Sequence, residues 1–529
     1  MFISAEYIVS EENMDWFNYV VFVVYIAMLI GIAVYTRKKA GTVKDFLLAG
    51  SKGLNGWMSA FSYGTTYFSA VIFIGYAGKF GWNFGLGALW IGVGNALIGG
   101  LLAWKLLAKR TRNMTKRLNA RTMPEFFEKR YASPSIKIVS AVIVFVFLIP
   151  YSASVYNGLG NLFEIMFGID GIWVTVGLAV LTGIYLVFGG YLATSLSDFV
   201  QGVVMIAGVF VMAVCFFKAP EVDGFTSFRV LAENGLGFFP EYGDKGFLAS
   251  PLVMLISLVL LTSFGVYGLP QTVHKYYSVR DGKAVKQGMI VSTIFAFIIG
   301  VIAYLCGAFG TLFFSEIPEG GTDNIIPLML NKVIPSGFSG LIAVLILSAS
   351  MSTLASVALA GASVVSVDIY KGAINKNASD RKVALTMRIM CALFILLSVV
   401  IALLNIKFKI TAIAYLMSLS WGTLSGCFIG PFVCGLMSRK ITKTASLCSV
   451  IGGLVFTLIA TVLFGGISAG WGGGIGNILK AGVSLSPLTG VLCMAFSVLV
   501  TVIVSKFTAK PDESVVMEAF DKKIHDEIL

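Results

Sequence analysis

The sequence predicts an all-α polytopic membrane protein of about 13 transmembrane helices. Three observations carry that fold class. Apolar runs of roughly 20 residues, the length a helix needs to cross a bilayer, recur from one end of the chain to the other. Of 529 residues, 57% are hydrophobic and only 12% charged, about half the charge of a soluble domain, and mean hydropathy is +0.88. Basic residues, finally, crowd between alternate runs.

The runs lie at about 16–36, 54–78, 84–108, 136–165, 171–190, 194–217, 250–272, 286–314, 338–369, 384–406, 410–437, 444–465 and 485–505, numbered spans one to thirteen. Glu6, Glu11, Glu12 and Asp15 precede span one, with no basic leader and no small-residue cleavage site. It reads as a retained span rather than a signal peptide. The loops 37–52, 105–137, 275–286, 371–388 and 439–443 and the tail from 506 hold 31 of the 39 Lys and Arg. Basic loops stay cytoplasmic, which places the N-terminus outside and the C-terminus inside. The net charge of +12 is thus a topology signal, touching membrane lipid, and asks for no nucleic acid.

Spans two and seven carry helix breakers. Span two has Gly64, Thr65 and Thr66 at mid-membrane, and span seven has Gly265, Gly268 and Pro270. Glycine weakens a helix and proline removes a donor, so both spans are expected to unwind there. An odd number of spans separates their starts, so the two run in opposite directions. Paired broken helices at equivalent places of two inverted repeats mark a transport site. Span nine adds Ser348, Ser352, Ser356 and, one step round, Thr353, hydroxyls on one helical face. Such a face at membrane depth packs helices together, lines a water path or offers oxygens to a hard cation.

Cys215, Cys306, Cys391, Cys427, Cys434, Cys448 and Cys493 all fall in apolar runs and read as small buried hydrophobes. Two histidines and the lack of a zinc-protease, P-loop or nucleophile-elbow motif leave no foothold for an enzyme or an organic cofactor.

Asp45-Phe46-Leu47-Leu48-Ala49-Gly50, 123-MPEFFEKRY-131, 188-FGGYLATSLSDFVQG-202, 268-GLPQ-271 and the span-nine stretch ending 368-DIYK-371 resemble the sodium/solute symporters. That group includes the proline, pantothenate and monocarboxylate permeases and the sodium–glucose cotransporters. The resemblance runs nearly end to end and implies a leucine-transporter-like core of 5+5 inverted repeats. Residues 1–53 would form a peripheral span and cytoplasmic loop, 54–217 the first repeat, 218–438 the second with an external loop, 439–505 peripheral spans and 506–529 a cytoplasmic tail. It further implies a sodium site, with sodium as coupling ion, built from the carbonyls of Thr65, Phe68 and Ala349 and the hydroxyls of Ser352 and Thr353.

Asp198 near the start of span six has three roles open to it, one of them capping the helix start, where an acid meets the positive end of the dipole. By the same resemblance it would form a second ion site with Ser352 and Ser356, or it would line the exit path. Ala355 lacks the hydroxyl the second site needs, so one sodium per solute is expected. Solute contacts are expected between spans two and seven, closed by spans three and eleven. The candidates are Thr66, Tyr67, Ser69, Asn95, Ser263, Tyr267, Gln271, Ser418, Ser420 and Trp421, with Phe68 as an aromatic wall. Val71 and Ile72 stand where the sugar relatives carry polar side chains, which points to a small, partly apolar solute. The expected function is a sodium-coupled symporter in a plasma membrane (a bacterial inner membrane), monomeric or a weak homo-oligomer. It would import an amino acid such as proline or a monocarboxylate- or pantothenate-like acid. Rival readings are a sugar symporter of the same fold, a proton-coupled transporter and a membrane-embedded sensor.

Overall fold

The computed structural model describes residues 16–36, 47–48, 53–241, 246–408, 412–472 and 474–520. The acidic residues before span one, most of the basic 37–52 loop, Lys245, Lys409 and the tail from 521 lie outside them. Among the described residues every named element is helical, and the one isolated backbone bridge joins Leu54 to Val279. Eleven helices are long and apolar enough to cross a bilayer. One of them, Val71–Arg117, passes through spans two and three, which the chain separates by turning at Gly85 (φ 52). Span five is the shorter apolar helix Gly171–Val187. Counted run by run, the described residues place helix at each of the thirteen apolar runs.

Span nine, Ser336–Ser363 continuing in wide π-type turns over Val364–Ile374, is the axis of the bundle. In its most apolar stretch 94% of residues are buried, against 22% in span one and 33% in span twelve. Spans five and six, Gly171–Val187 and Gly189–Phe217, are two helices that meet at a kink at Gly190, with φ 57 and ψ −158. That backbone region is open to glycine alone. Span eight, Gly282–Ala308, lies against spans two and three through glycine pairs. A Cβ on Gly307 would sit 2.0 Å from the Ala77 carbonyl oxygen, and one on Gly92 would sit 2.7 Å from the Gly300 carbonyl carbon. Close approach of this kind is how helices associate where lipid removes the hydrophobic drive.

Both interrupted spans are interrupted. Span seven stops at Gly265 and resumes at Pro270, which occupies the first turn of Pro270–Tyr277, where its missing N–H costs nothing. Gly268 is pressed against span eleven, 3.0 Å from the Ser425 Cα were a Cβ present. Span two corrects the expectation. Its helix runs unbroken through Gly64–Thr66 to Tyr67, and the break falls at Phe68, whose φ of −108 and ψ of 118 are extended. Gly64 is there for space, since a Cβ would meet Phe295 at 2.5 Å.

Two further readings are corrected. Cys448 is exposed on the surface of the bundle rather than buried, while Cys306, Cys391, Cys427 and Cys493 are interior. Lys275 is no loop residue. It lies 2% exposed inside the bundle on the second half of span seven, so it does not belong in the topology count.

The end of the bundle that carries most basic residues is closed by ion pairs. Arg121 and Lys129 both reach Glu125, at 3.1 and 3.3 Å, and Lys137 reaches Glu128 at 2.6 Å. Burial alone would raise the Glu125 carboxyl, but the two cations hold it below the usual carboxylate range. Thr122 donates to Asp368 at the end of span nine. At the opposite end a cavity of about 430 Å³ opens among Asn157, Asn161, Glu164, Asp323 and Asn324.

Candidate functional site

The break at Phe68 frees carbonyls from the helical ladder, and span nine takes them up. Ser352 Oγ lies 3.0 Å from the Thr65 carbonyl and 3.0 Å from the Ala349 carbonyl. Thr353 Oγ1 lies 3.3 Å from the carbonyls of Thr65 and Thr66 and 3.2 Å from that of Ala349. The Ala70 N–H, which a continuous helix would give to Thr66, instead donates to Ser350 Oγ at 3.3 Å. Four of the five oxygen-bearing residues expected at the ion site thus converge within hydrogen-bond distance, on two fully buried segments. Phe68, the fifth, sits at the break with its N–H on the Gly64 carbonyl. The cluster carries no full charge. Each hydroxyl has lone pairs beside its single proton, so rotating both hydroxyls would turn a hydrogen-bonded knot into a cage of acceptors for one monovalent cation.

Beside this knot lies a second polar cluster, which the sequence shows only in part. Lys275 Nζ donates to Ser356 Oγ at 2.8 Å, to Ser62 Oγ at 2.9 Å and to Asp198 Oδ2 at 3.2 Å. Ser62 also donates to Asp198 at 2.5 Å. Thr66 Oγ1 meets Ser356 Oγ at 2.9 Å, so Thr66 joins the two clusters. Ser62 and Lys275 were missed in the sequence. A lysine five residues after a proline, next to Tyr276 and Tyr277, was the available signal.

The expected solute contacts divide. Tyr67 stacks on Trp421 with ring centres 5.9 Å apart, and Tyr151 stands edge-on to Trp421 at 5.8 Å. The Tyr67 hydroxyl donates to the Thr262 carbonyl at 2.7 Å, and that of Tyr267 to the Ile98 carbonyl at 3.0 Å. Ser263 approaches Asn95 at 3.4 Å. Spans two, three, seven and eleven therefore meet as expected. Asn95 Nδ2 is a buried donor without a hydrogen bond, while Trp421 Nε1 and the Tyr151 hydroxyl make no well-aligned bond and face each other, with Thr353 and Ser69 also beside the hydroxyl. Other candidates are committed elsewhere. Ser418 bonds Tyr76 at 2.6 Å, Ser420 donates to the Phe147 carbonyl and Ser69 accepts from the Val71 N–H at 3.3 Å. Gln271 lines a small pocket with Tyr191, His274, Lys275 and Ser356, apart from Asn95 and Trp421.

The family model described as the sodium:solute symporter family matches residues 46–453. The chain belongs to the sodium:solute symporter family. It is a transporter and not an enzyme. The symporter is 30% identical to the osmoregulated proline transporter OpuE of Bacillus subtilis (strain 168), over 82% of this chain and 86% of that one. It is 27% identical to the sodium/pantothenate symporter of Haemophilus influenzae (strain Rd), over 83% and 90% of the two chains. Its fold is that of a Na+-coupled sialic acid symporter solved in a substrate-bound outward-open state. The two superpose with a TM-score of 0.74 at 19% identity, over 94% of this chain and 99% of the other. The symporter accordingly has the leucine-transporter-like architecture that the resemblance implied.

Proposed function

We propose that this symporter imports a small organic acid, an amino acid such as proline or a monocarboxylate- or pantothenate-like acid, with one sodium ion by alternating access. The observation that carries the proposal is the convergence of the Thr65 and Ala349 carbonyls with Ser352 and Thr353 at a helix break. Sodium is assigned to these oxygens, with the Phe68 carbonyl as a fifth ligand. An uncharged oxygen cage holds a monovalent ion loosely enough to release it. The solute is assigned to the surroundings of Trp421 and Tyr67, which pack on each other in this structure. There the buried donors of Trp421, Tyr151 and Asn95 suit a carboxylate, since a buried donor without a well-aligned acceptor costs about 1–3 kcal/mol. The proline and pantothenate transported by the relatives named above are both carboxylates, which supports the reading.

In the cycle proposed, sodium draws spans two and nine together and so fixes the break at Phe68 and the Tyr67–Trp421 wall behind it. The repeats 54–217 and 218–438 then rock, the basic end opens to the cytoplasm and the ion pairs at Glu125 and Glu128 part. The N-terminus is assigned to the outside and the C-terminus to the cytoplasm. One ion draws on about 2.3 kcal/mol per 100 mV and about 1.4 kcal/mol per tenfold sodium gradient, enough for roughly hundred- to thousandfold accumulation.

Uptake by proteoliposomes under an imposed sodium gradient, screened over radiolabelled amino acids, monocarboxylates and sugars, tests the proposal. Sodium-driven uptake of a carboxylate is expected. A sugar taken up in preference, or uptake driven by a proton gradient alone, would refute it.

A further inference from the structure

The Asp198 cluster contains a cation already, and it belongs to the protein. The Lys275 ammonium has three protons and three acceptors, Ser356 Oγ at 2.8 Å, Ser62 Oγ at 2.9 Å and Asp198 Oδ2 at 3.2 Å. Those oxygens come from spans nine, two and six, and the lysine from the half of span seven beyond its break. Both charged side chains are essentially sealed from solvent, at 2% and 1%. A buried ion pair is weak evidence for stability, because desolvation offsets most of the attraction. Its value must lie elsewhere. Removing only one partner leaves an uncompensated charge, which is severely unfavourable, so Asp198 as a carboxylate requires a positive charge at that point. Ala355 denies the pocket a further hydroxyl, so a free cation there would need water to complete its shell. An ammonium, which needs only three acceptors, fills it.

We propose that Lys275 is a tethered cation standing in for a second mobile one. It neutralises Asp198 throughout transport and so holds the coupling ratio at one sodium per solute. The link to the ion site is direct. Ser356, which accepts from Lys275, touches Thr66 Oγ1 at 2.9 Å, and the Thr66 carbonyl meets Thr353 Oγ1 at 3.3 Å. The tether is therefore positioned to sense whether sodium occupies the neighbouring cage.

This inference rests on the sodium site proposed at Ser352 and Thr353, and the test separates the two. Radioactive sodium bound per purified protein is counted for the unmodified chain, Lys275→Met, Lys275→Gln and the double variant Lys275→Met/Asp198→Asn. Reversal potentials in proteoliposomes are measured alongside for the unmodified chain. The expected counts are one for the unmodified chain, two for either single variant, where sodium replaces the lost ammonium at Asp198, and one for the double variant. Two sodium ions on the unmodified chain, or a reversal potential giving a ratio near two, overturns the proposal whether or not any variant folds. A count of one in a folded single variant overturns it as well. A count of zero on the unmodified chain would instead strike at the sodium site itself.

Discussion

Ser352 and Thr353 each touch two or more carbonyl oxygens in the structure, so each alanine variant removes an oxygen that nothing nearby replaces. At about 1–3 kcal/mol per lost buried partner, Ser352→Ala and Thr353→Ala should each raise the half-saturating sodium concentration roughly 5- to 150-fold. Expression and insertion should stay intact. Sodium titrations of solute uptake measure this, and an unchanged half-saturation in both variants would remove the ion from that cage. Trp421 separates solute from sodium. Trp421→Phe keeps the ring against Tyr67 and Tyr151 but deletes an N–H that makes no well-aligned bond and has only the Tyr151 hydroxyl group beside it. Its KM for the solute should rise about tenfold, the worth of one hydrogen bond to a charged group, while sodium activation at saturating solute stays put. At this scale the hydroxyl pair was legible in the sequence, because helical spacing alone puts Ser352 and Thr353 beside Ala349. Lys275 was not. Charge in the sequence is sorted by distance from an apolar run, and Lys275 sits where span and loop are indistinguishable by that measure. Only the packing of Pro270–Tyr277 against spans two and nine shows it to be interior.

The helix breaks were legible as facts and less so as places. Proline at 270 fixed where span seven resumes, since it fits only the first turn of a helix. Gly64 misled, because a glycine can serve either flexibility or close contact, and its contact with Phe295 is a tertiary fact. The same ambiguity makes the glycines of span eight worth testing. Gly307→Val would drive a side chain into the Ala77 carbonyl, and overpacking of this kind costs about 1–3 kcal/mol or more. A clear fall in melting temperature and in monodisperse yield by fluorescence size exclusion is expected. Gly177→Ala, where nothing lies within 4 Å, is the matched control and should melt with the unmodified chain.

Across the whole molecule, the apolar runs were enough to place the helices among the described residues, and the asymmetry of basic residues proposes an orientation. The closed basic end and the cavity opposite depend on contacts between spans far apart in the chain, which no local pattern encodes. The orientation makes a direct prediction. Phe225, 87% exposed between spans six and seven, should be labelled as Phe225→Cys by a membrane-impermeant thiol reagent on intact cells. Lys376→Cys, between spans nine and ten, should be labelled only after permeabilisation. Cys448 is exposed, so the experiment is done on a Cys448→Ser background. The opposite pattern would invert the protein in the membrane.

The single-residue joint at Gly190 bears on how the chain is made. Span five is an apolar helix of only 17 residues, Gly171–Val187, about 25 Å long at 1.5 Å per residue, shorter than the roughly 30 Å hydrocarbon layer. With no linker before span six, it has neither the length to enter the bilayer stably by itself nor the slack to wait there. The two must leave the insertion machinery together, as a hairpin. A nascent chain arrested after Val187 should therefore leave its last helix open to added protease, and one extended to Phe217 should shield both.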